Sequence, residues 1–346
     1  MDQSKKKFLS NFSYSKLNYS IDSSSRHWSY NNKKKINLFK FENLVNFRRN
    51  GLSYGMDDQF YKKKQALLFL ESLIKDCGKN FVTKLLEKKN IGNAKKFYKY
   101  KNYFFTAHEL FLIKFLKKLE SNLSFNKLKV ICEIGPGYGC LASKVLKKTK
   151  AKMILIDLPE ANFLSYYFLS KLFPKKKIFV SEDYKHKKLD KKNLKKYDIF
   201  ILTPWDKFPN LKVDLFINTR SMMEMNFDTI QKYFYLIYKK IKKNGYFLCV
   251  NRYYKDTVGY PIELINYPFD EFWKVLISKP SWYQKHIHFL LLKRSAIKNK
   301  SLFKEFKKIE KLSNSIREND PFFWRRILPN KVYYFYKMIK FNLFQK

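Results

Sequence analysis

The chain is short of acidic residues, of paired cysteines and of long apolar runs, and each shortage excludes something. Asp and Glu number 29 against 72 Lys and Arg, a formal net charge of +43. No stretch approaches the roughly 20 continuous apolar residues of a membrane-spanning helix. The first residues, MDQSKKKFLSNFSYS, are basic but lack the apolar core of a secretory leader, which predicts a cytoplasmic protein. The four cysteines, Cys77, Cys132, Cys140 and Cys249, form no C-x-x-C pair and read as reduced core thiols. His286 and His288 alternate with Ile287 and Phe289 but have no carboxylate or cysteine at metal spacing, so no metal site is expected there.

A charge this large points to nucleic acid or to an anionic membrane surface. Here, however, it is overwhelmingly lysine, spread along the whole chain, and arginine is scarce. Arginine is the residue preferred for bidentate phosphate and base contacts. Lys, Asn, Ile, Phe and Tyr are all abundant, as A/T-biased coding produces without functional selection. No nucleic-acid partner is therefore expected, and peripheral contact with an anionic membrane stays compatible. The alternative is an RNA-modifying or RNA-binding protein that uses the basic surface. Apolar content of 45% and aromatic content of 18% supply a core for one α/β domain and something more.

What is present centres on Val130–Gly139, VICEIGPGYG: a buried strand ending in an acidic residue, then a glycine-rich turn. Gly135, Gly137 and Gly139 alternate, which permits positive φ and close approach of a ligand. Apolar residues at helical spacing follow over Tyr138–Lys148. The turn lacks the third glycine of a dinucleotide fingerprint and the G-K-[ST] of a P-loop. Acidic–x–Gly–x–Gly–x–Gly instead resembles motif I of class I S-adenosylmethionine-dependent methyltransferases. Lys152–Asp157 is a second buried strand, and Asp157 at its tip sits where a doubly wound fold presents a carboxylate to ribose hydroxyls. The competing reading makes Asp157 an N-cap for the helix opening at Leu158-Pro159-Glu160.

Elsewhere the chain supplies further candidates. Leu44–Asp58 packs arginines, glycines, Asp57 and Asp58 into a loop-like segment suited either to binding or to a surface turn. Gln59–Leu86 and Ala107–Leu119 read as helices. The second is introduced by the capping box Thr106-x-x-Glu109, which puts His108 in its first turn, as a solvated residue or a neutral base. Ile178–Val180 and Tyr197–Leu202 are two further strands, and either could be third in the sheet. Trp205 and Asp206 follow as adenine contacts, with a packed Trp as the alternative. Val213–Asn218 delivers Asn218, Arg220, Ser221 and Glu224 to the carboxyl edge of the sheet, a set suited to a polyol. Ser221-x-x-Glu224 is equally a capping box. Asp228–Lys243 is a helix closed by Asn244-Gly245, and Tyr246–Val250 a strand ending in Asn251 and Arg252. Val275–Ser278 and His286–Lys293 close the sheet as a pair. Residues 297–346 form a basic aromatic tail, either packed back on the domain or lying in a membrane interface.

The blocks FRRNGLSYGMDD, EIGPGYGCLA, LIDLPEANFLSYYFL, VDLFINTRSMMEM and GYFLCVNRYY together resemble the bacterial sugar O-methyltransferase family, over about Leu44 to Arg294. The resemblance implies a Rossmann-like α/β sheet with helices on both faces, preceded by a helical N-terminal region. The chain is expected to divide into three parts: 1–125 as a flexible segment and helical substrate or lid region, 126–296 as the cofactor domain, and 297–346 as the tail, which lies outside the resemblance. S-adenosylmethionine is the implied cofactor, met by Glu133, Gly135, Gly137, Tyr138, Gly139, Asp157, Leu158, Trp205, Asp206 and Asn218. Arg220, Ser221, Asn251 and Arg252 are then acceptor contacts in a sugar or glycan. Glu224, His108 and Asp57 or Asp58 are the candidate bases for an in-line methyl transfer, since a hydroxyl is a poor nucleophile near neutral pH.

Overall fold

The structure, a computed structural model, describes residues 3–17, 25–53, 62–256, 258–281 and 286–318. The chain enters through α1 (Gln3–Ser15) and α2 (Arg26–Lys35). The start of the chain reads in sequence as weakly patterned and mobile, yet α1 is docked. Phe8 stacks on Tyr166 at 4.1 Å between ring centroids and Phe12 on Phe163 at 4.6 Å. Lys16 adds an ion pair to Glu160 at 3.2 Å.

The single helix expected over Gln59–Leu86 is two, α3 (Lys63–Cys77) and α4 (Lys79–Leu85). Gly78 breaks it, with φ +88°, a conformation that ends a helix and that glycine adopts without a Cβ clash. A hairpin of β1 (Tyr98–Tyr100) and β2 (Tyr103–Phe105) leads into α5 (Ala107–Glu120). There the expected capping box is formed: Glu109 N donates to Thr106 Oγ1, and Thr106 N donates to Glu109 Oε2 at 2.8 Å.

The central sheet is built from β3 (Val130–Ile134), β4 (Lys152–Ile156), β5 (Ile178–Val180), β6 (Ile199–Leu202), β7 (Val213–Thr219) and β8 (Ile241–Arg252). A short hairpin, β9 (Tyr254–Asp256) with β10 (Pro261–Glu263), precedes β11 (Trp273–Pro280) and β12 (Ile287–Arg294). Its order is β11-β12-β8-β7-β3-β4-β6-β5. The six strands from β3 to β8 run parallel, and β12 and β11 close one edge antiparallel. Of the two candidates for third place, β6 pairs directly with β4, and β5 is the outer edge.

Parallel strands covered on both faces have no polar side, which is why β3, β4 and β6 read as unbroken apolar runs. Their residues alternate between two cores. Ile131, Met153 and Ile201 face one side with α5, α6 (Cys140–Lys148) and α7 (Pro159–Leu172). Val130, Ile154 and Phe200 face the other, with α8 (Lys191–Lys196), α9 (Phe227–Lys240) and α10 (Ser301–Glu318). The fold is thus a Rossmann-like doubly wound α/β sheet.

Two boundaries differ from the sequence expectation. α9 stops at Lys240, and Asn244-Gly245 lies within β8 as an irregularity, with Asn244 at φ +65°. A Cβ at Gly245 would lie 2.8 Å from Ile241 Cγ1 and 3.0 Å from Lys242 O, so the glycine permits the irregularity in β8 rather than capping a helix. In the tail, Leu302 and Ile309 of α10 are buried against the sheet, so its described part packs back on the domain. The aromatic segments beyond residue 318 lie outside the described residues. Among the described residues no helix is long and apolar enough to cross a membrane.

A buried charge network ties the N-terminal region to the glycine-loop helix. Lys144, wholly buried on α6, pairs with Glu87 and lies 3.6 Å from Glu109, and Lys147 reaches Glu87 at 3.0 Å. Burial pushes the Glu87 carboxyl up, but the two lysines outweigh it and hold its pKa below the usual value. Arg48 lies 3.8 Å from Glu109 and stacks over the Tyr138 ring. The loop that sequence leaves between binding and a turn is therefore, at Arg48, a structural strap.

Candidate functional site

In the sheet β4, β6 and β5 lie on one side of β3, and after β6 the chain crosses to β7 on the opposite side of β3. Outside the carboxyl ends of strands at such a switch point, an open α/β sheet leaves a crevice for ligands. A cavity of about 430 Å³ occupies it. That is within the range of pockets that hold small ligands and cofactors, about 300–1,000 Å³. Glu133, Gly135, Gly137, Tyr138, Asp157 and Leu158 line it, as do His108, Arg220, Ser221, Glu224 and Arg252.

Glu133 sits near the end of β3 with 1% of its surface exposed. The helix that follows has Gly139 at its N-cap, with no side chain to satisfy the first N–H groups. The Glu133 carboxylate accepts from Ala142 N in that first turn instead. Its other oxygen, Oε2, is buried without a hydrogen-bond partner among the described residues. Burial, and next the charge of Asp157, push its pKa from 4.5 to about 8. Asp157 holds the loop from the next strand. Gly137 N donates to Oδ2 at 2.9 Å and Leu158 N to Oδ1 at 2.8 Å. Burial raises its pKa to about 7 even against those two donors. The N-cap of α7 is Leu158, with Pro159 following, so Asp157 braces the glycine turn rather than capping in the usual way.

The three glycines do different work. Gly135 has φ +71°, and a Cβ there would lie 1.9 Å from Ser221 Oγ, so its bareness admits Ser221. Gly139 has φ +84° and is not among the cavity-lining residues; a Cβ would meet Leu169 at 3.3 Å. Tyr138 reaches the lining but is fully buried between Phe47 and Phe168.

Several expected contacts are structural instead. Trp205 and Asp206 do not line the cavity, and Pro204 does. Asp206 Oδ2 accepts from Thr203 N at 2.7 Å and from Ser181 Oγ at 2.5 Å, which closes the turn after β6. Asn218 and Asn251 are fully buried and off the cavity. Asn218 Nδ2 donates to Ile134 O, while its Oδ1 accepts from Met222 N and Asn251 Nδ2. This amide ladder locks the tips of β3, β7 and β8 together and leaves little for a ligand.

Glu224 faces the cavity and pairs with Lys255. The alternative capping role fails: Ser221 makes no side-chain cap, residues Met222–Glu224 form a 3₁₀ turn, and α9 starts from Asn226. His108 is 8% exposed in the first turn of α5 and lines the cavity. Asp57 and Asp58 lie outside the described residues. His288 is structural, its ring nitrogens meeting Tyr253 Oη at 2.9 Å and Ser278 Oγ at 2.8 Å. All four cysteines are free and buried.

Sequence reasoning missed α2 and Lys255. His27, Trp28, Asn31, Asn32 and Lys35 bring one side of α2 to the cavity. The signal was the i, i+4 spacing of His27 with Asn31 and of Trp28 with Asn32. Burial lowers the pKa of His27, which favours its neutral form.

No family model and no curated protein matches the sequence. Among solved structures, the chain is similar to magnesium protoporphyrin IX methyltransferase from Synechocystis PCC 6803 with bound SAM. The TM-score is 0.39 at 10% identity, over 54% of this chain and 80% of that one. It is similar to the mitomycin 7-O-methyltransferase MmcR at TM-score 0.35 and 12% identity, over 66% and 67% of the two chains. The pyocyanin biosynthetic protein PhzM gives 0.33 at 11%, over 55% and 58%.

Proposed function

We propose that this protein is an S-adenosylmethionine-dependent O-methyltransferase that methylates a sugar hydroxyl in the building of a surface glycan. The observation that carries this reading is Glu133. Its buried oxygen without a partner borders a cavity at the switch point, beside a glycine turn braced by Asp157. A buried carboxylate persists when a ligand completes its pairing, and a cationic amino group is the matching partner. Asp157 keeps lone pairs for ribose hydroxyls beyond its two backbone donors. The residues present thus fit the cofactor, which when bound supplies a methyl group already activated by a positively charged sulfur.

The protein's remaining task is to hold an acceptor hydroxyl, exclude water and take up a proton. Asn31, Asn32 and Ser221 offer amide and hydroxyl groups, and Trp28 an aromatic face, a combination that suits a polyol. Glu224 is assigned as the proton acceptor, held in place by its ion pair with Lys255. His108 is the second basic group on the same cavity. The test is incubation with methyl-labelled S-adenosylmethionine and a panel of nucleotide sugars and glycan fragments. A sugar product heavier by one methylene is expected. Label entering RNA and no sugar would overturn the reading.

A further inference from the structure

The cavity is electrically two-ended. In the sheet order β8-β7-β3-β4, Glu133 stands on β3 and Asp157 just past β4. Arg220 follows β7, Arg252 ends β8, and Lys255 lies on the next hairpin. Neighbouring strands lie about 4.8 Å apart, so β3 and β8, two steps distant, are separated by about 10 Å. Carboxylates therefore gather at one end of a single cavity and cations at the other. Among the described lining residues, Glu224 is the one carboxylate at the cationic end.

Three observations show that this end is built. Lys255 is largely buried, and its pKa is lowered by burial, opposed by Glu224, and lowered further by the charges of Arg252 and Arg220. Lys255 therefore feels both arginines, so positive charge is concentrated at this end of the cavity, where an anion is favoured. Arg220 holds a backbone φ of +60°, rare for a residue with a side chain, and its N–H is fixed to Val250 O at 2.7 Å. Such strain collects where a side chain must be aimed. Finally, His27 of α2, also in the lining, feels the charges of both Glu224 and Lys255, so the start of that helix borders this end.

Resting on the methyltransferase reading, we infer that the acceptor carries an anionic group beside the sugar to be methylated, seated by Arg220, Arg252 and Lys255. The shared chemistry is a phosphoryl or carboxylate oxygen. A nucleotide- or lipid-linked sugar supplies the first and a uronic acid the second. The arrangement also keeps the ends apart, since a cationic cofactor is repelled from the acceptor end and drawn to Glu133.

The test is calorimetric titration of glucose 1-phosphate, glucuronate and glucose into the protein saturated with S-adenosylhomocysteine. At least one anionic probe should bind about tenfold or more tighter than glucose. The preference should shrink with added salt, as a screened charge interaction does. Arg252→Gln and, separately, Lys255→Gln should reduce it about tenfold while S-adenosylhomocysteine still titrates. Circular dichroism identifies a variant that fails to fold, and the other then decides. Preference for glucose 1-phosphate assigns the phosphoryl source, and preference for glucuronate the uronic acid. Equal binding of all three, or a preference that survives both substitutions, overturns the inference. If S-adenosylhomocysteine itself fails to bind, the methyltransferase reading falls, and the same probes titrated into the ligand-free protein still decide this one.

Discussion

Glu133→Gln should make the ligand-free protein more stable and a poorer binder of S-adenosylmethionine. A carboxyl whose pKa rises from 4.5 in the unfolded chain to about 8 in the fold is held more tightly in its protonated form there. Ionising it therefore costs the folded state, by about 5 kcal/mol at most, at 1.36 kcal/mol for each pKa step. Part of the rise comes from Asp157, and relaxation takes more, so the expected gain is about 2 kcal/mol. The sign follows from linkage. The wild type loses stability as pH climbs from about 4.5 to about 8, and glutamine does not share that loss. Glutamine keeps an oxygen for Ala142 N and places an N–H where Oε2 has no partner. Urea unfolding of both proteins between about pH 5 and about pH 9 should show a gap that opens with pH and then levels. Binding should move the other way, weakening about tenfold to a hundredfold with the loss of a charge-assisted bond. A gap that is flat with pH, or a variant that binds as well as the wild type, would refute the reasoning.

Other substitutions test neighbouring parts of the account. Gly135→Ala combines a positive φ with a Cβ 1.9 Å from Ser221 Oγ, so it should cost about 2 kcal/mol or more in urea unfolding. Gly135→Ala with Ser221→Gly should recover the steric share and leave the backbone share. Lys144→Met leaves Glu87 and Glu109 buried without their shared cation and should cost about 3–5 kcal/mol at neutral pH. That cost should shrink as pH falls and Glu87, whose pKa the lysines hold below the usual value, protonates. Trp28 lines the cavity, so ligand binding should change the protein's fluorescence, and Trp28→Phe should remove most of that change.

The sheet was legible because parallel strands covered on both faces must be apolar throughout, so β3, β4, β6 and β7 stand out as short unbroken runs. The glycine turn was legible because few residues other than glycine take positive φ. The cavity half formed by those strand tips follows from both. The polar residues at the tips were harder to assign. Asn218 and Arg220 are two positions apart, yet one is buried in an amide ladder and the other lines the cavity. Sequence places both at the edge; the direction each takes depends on neighbours from β3 and β8. Asp206 was hard to assign for the same reason, since its partners Ser181 and Thr203 arrive through the β5–β6 pairing. Helix α2 escaped because its apolar content is low, and its identity comes from what it covers rather than from its own pattern.

The most direct measurement is calorimetric titration of S-adenosylmethionine into the wild type and Asp157→Ala. Saturable binding by the wild type, weakened about a hundredfold or lost in the variant, is what a turn braced by Asp157 through Gly137 and Leu158 predicts. A folded wild type that takes up no cofactor, or a variant that binds it equally well, contradicts the account.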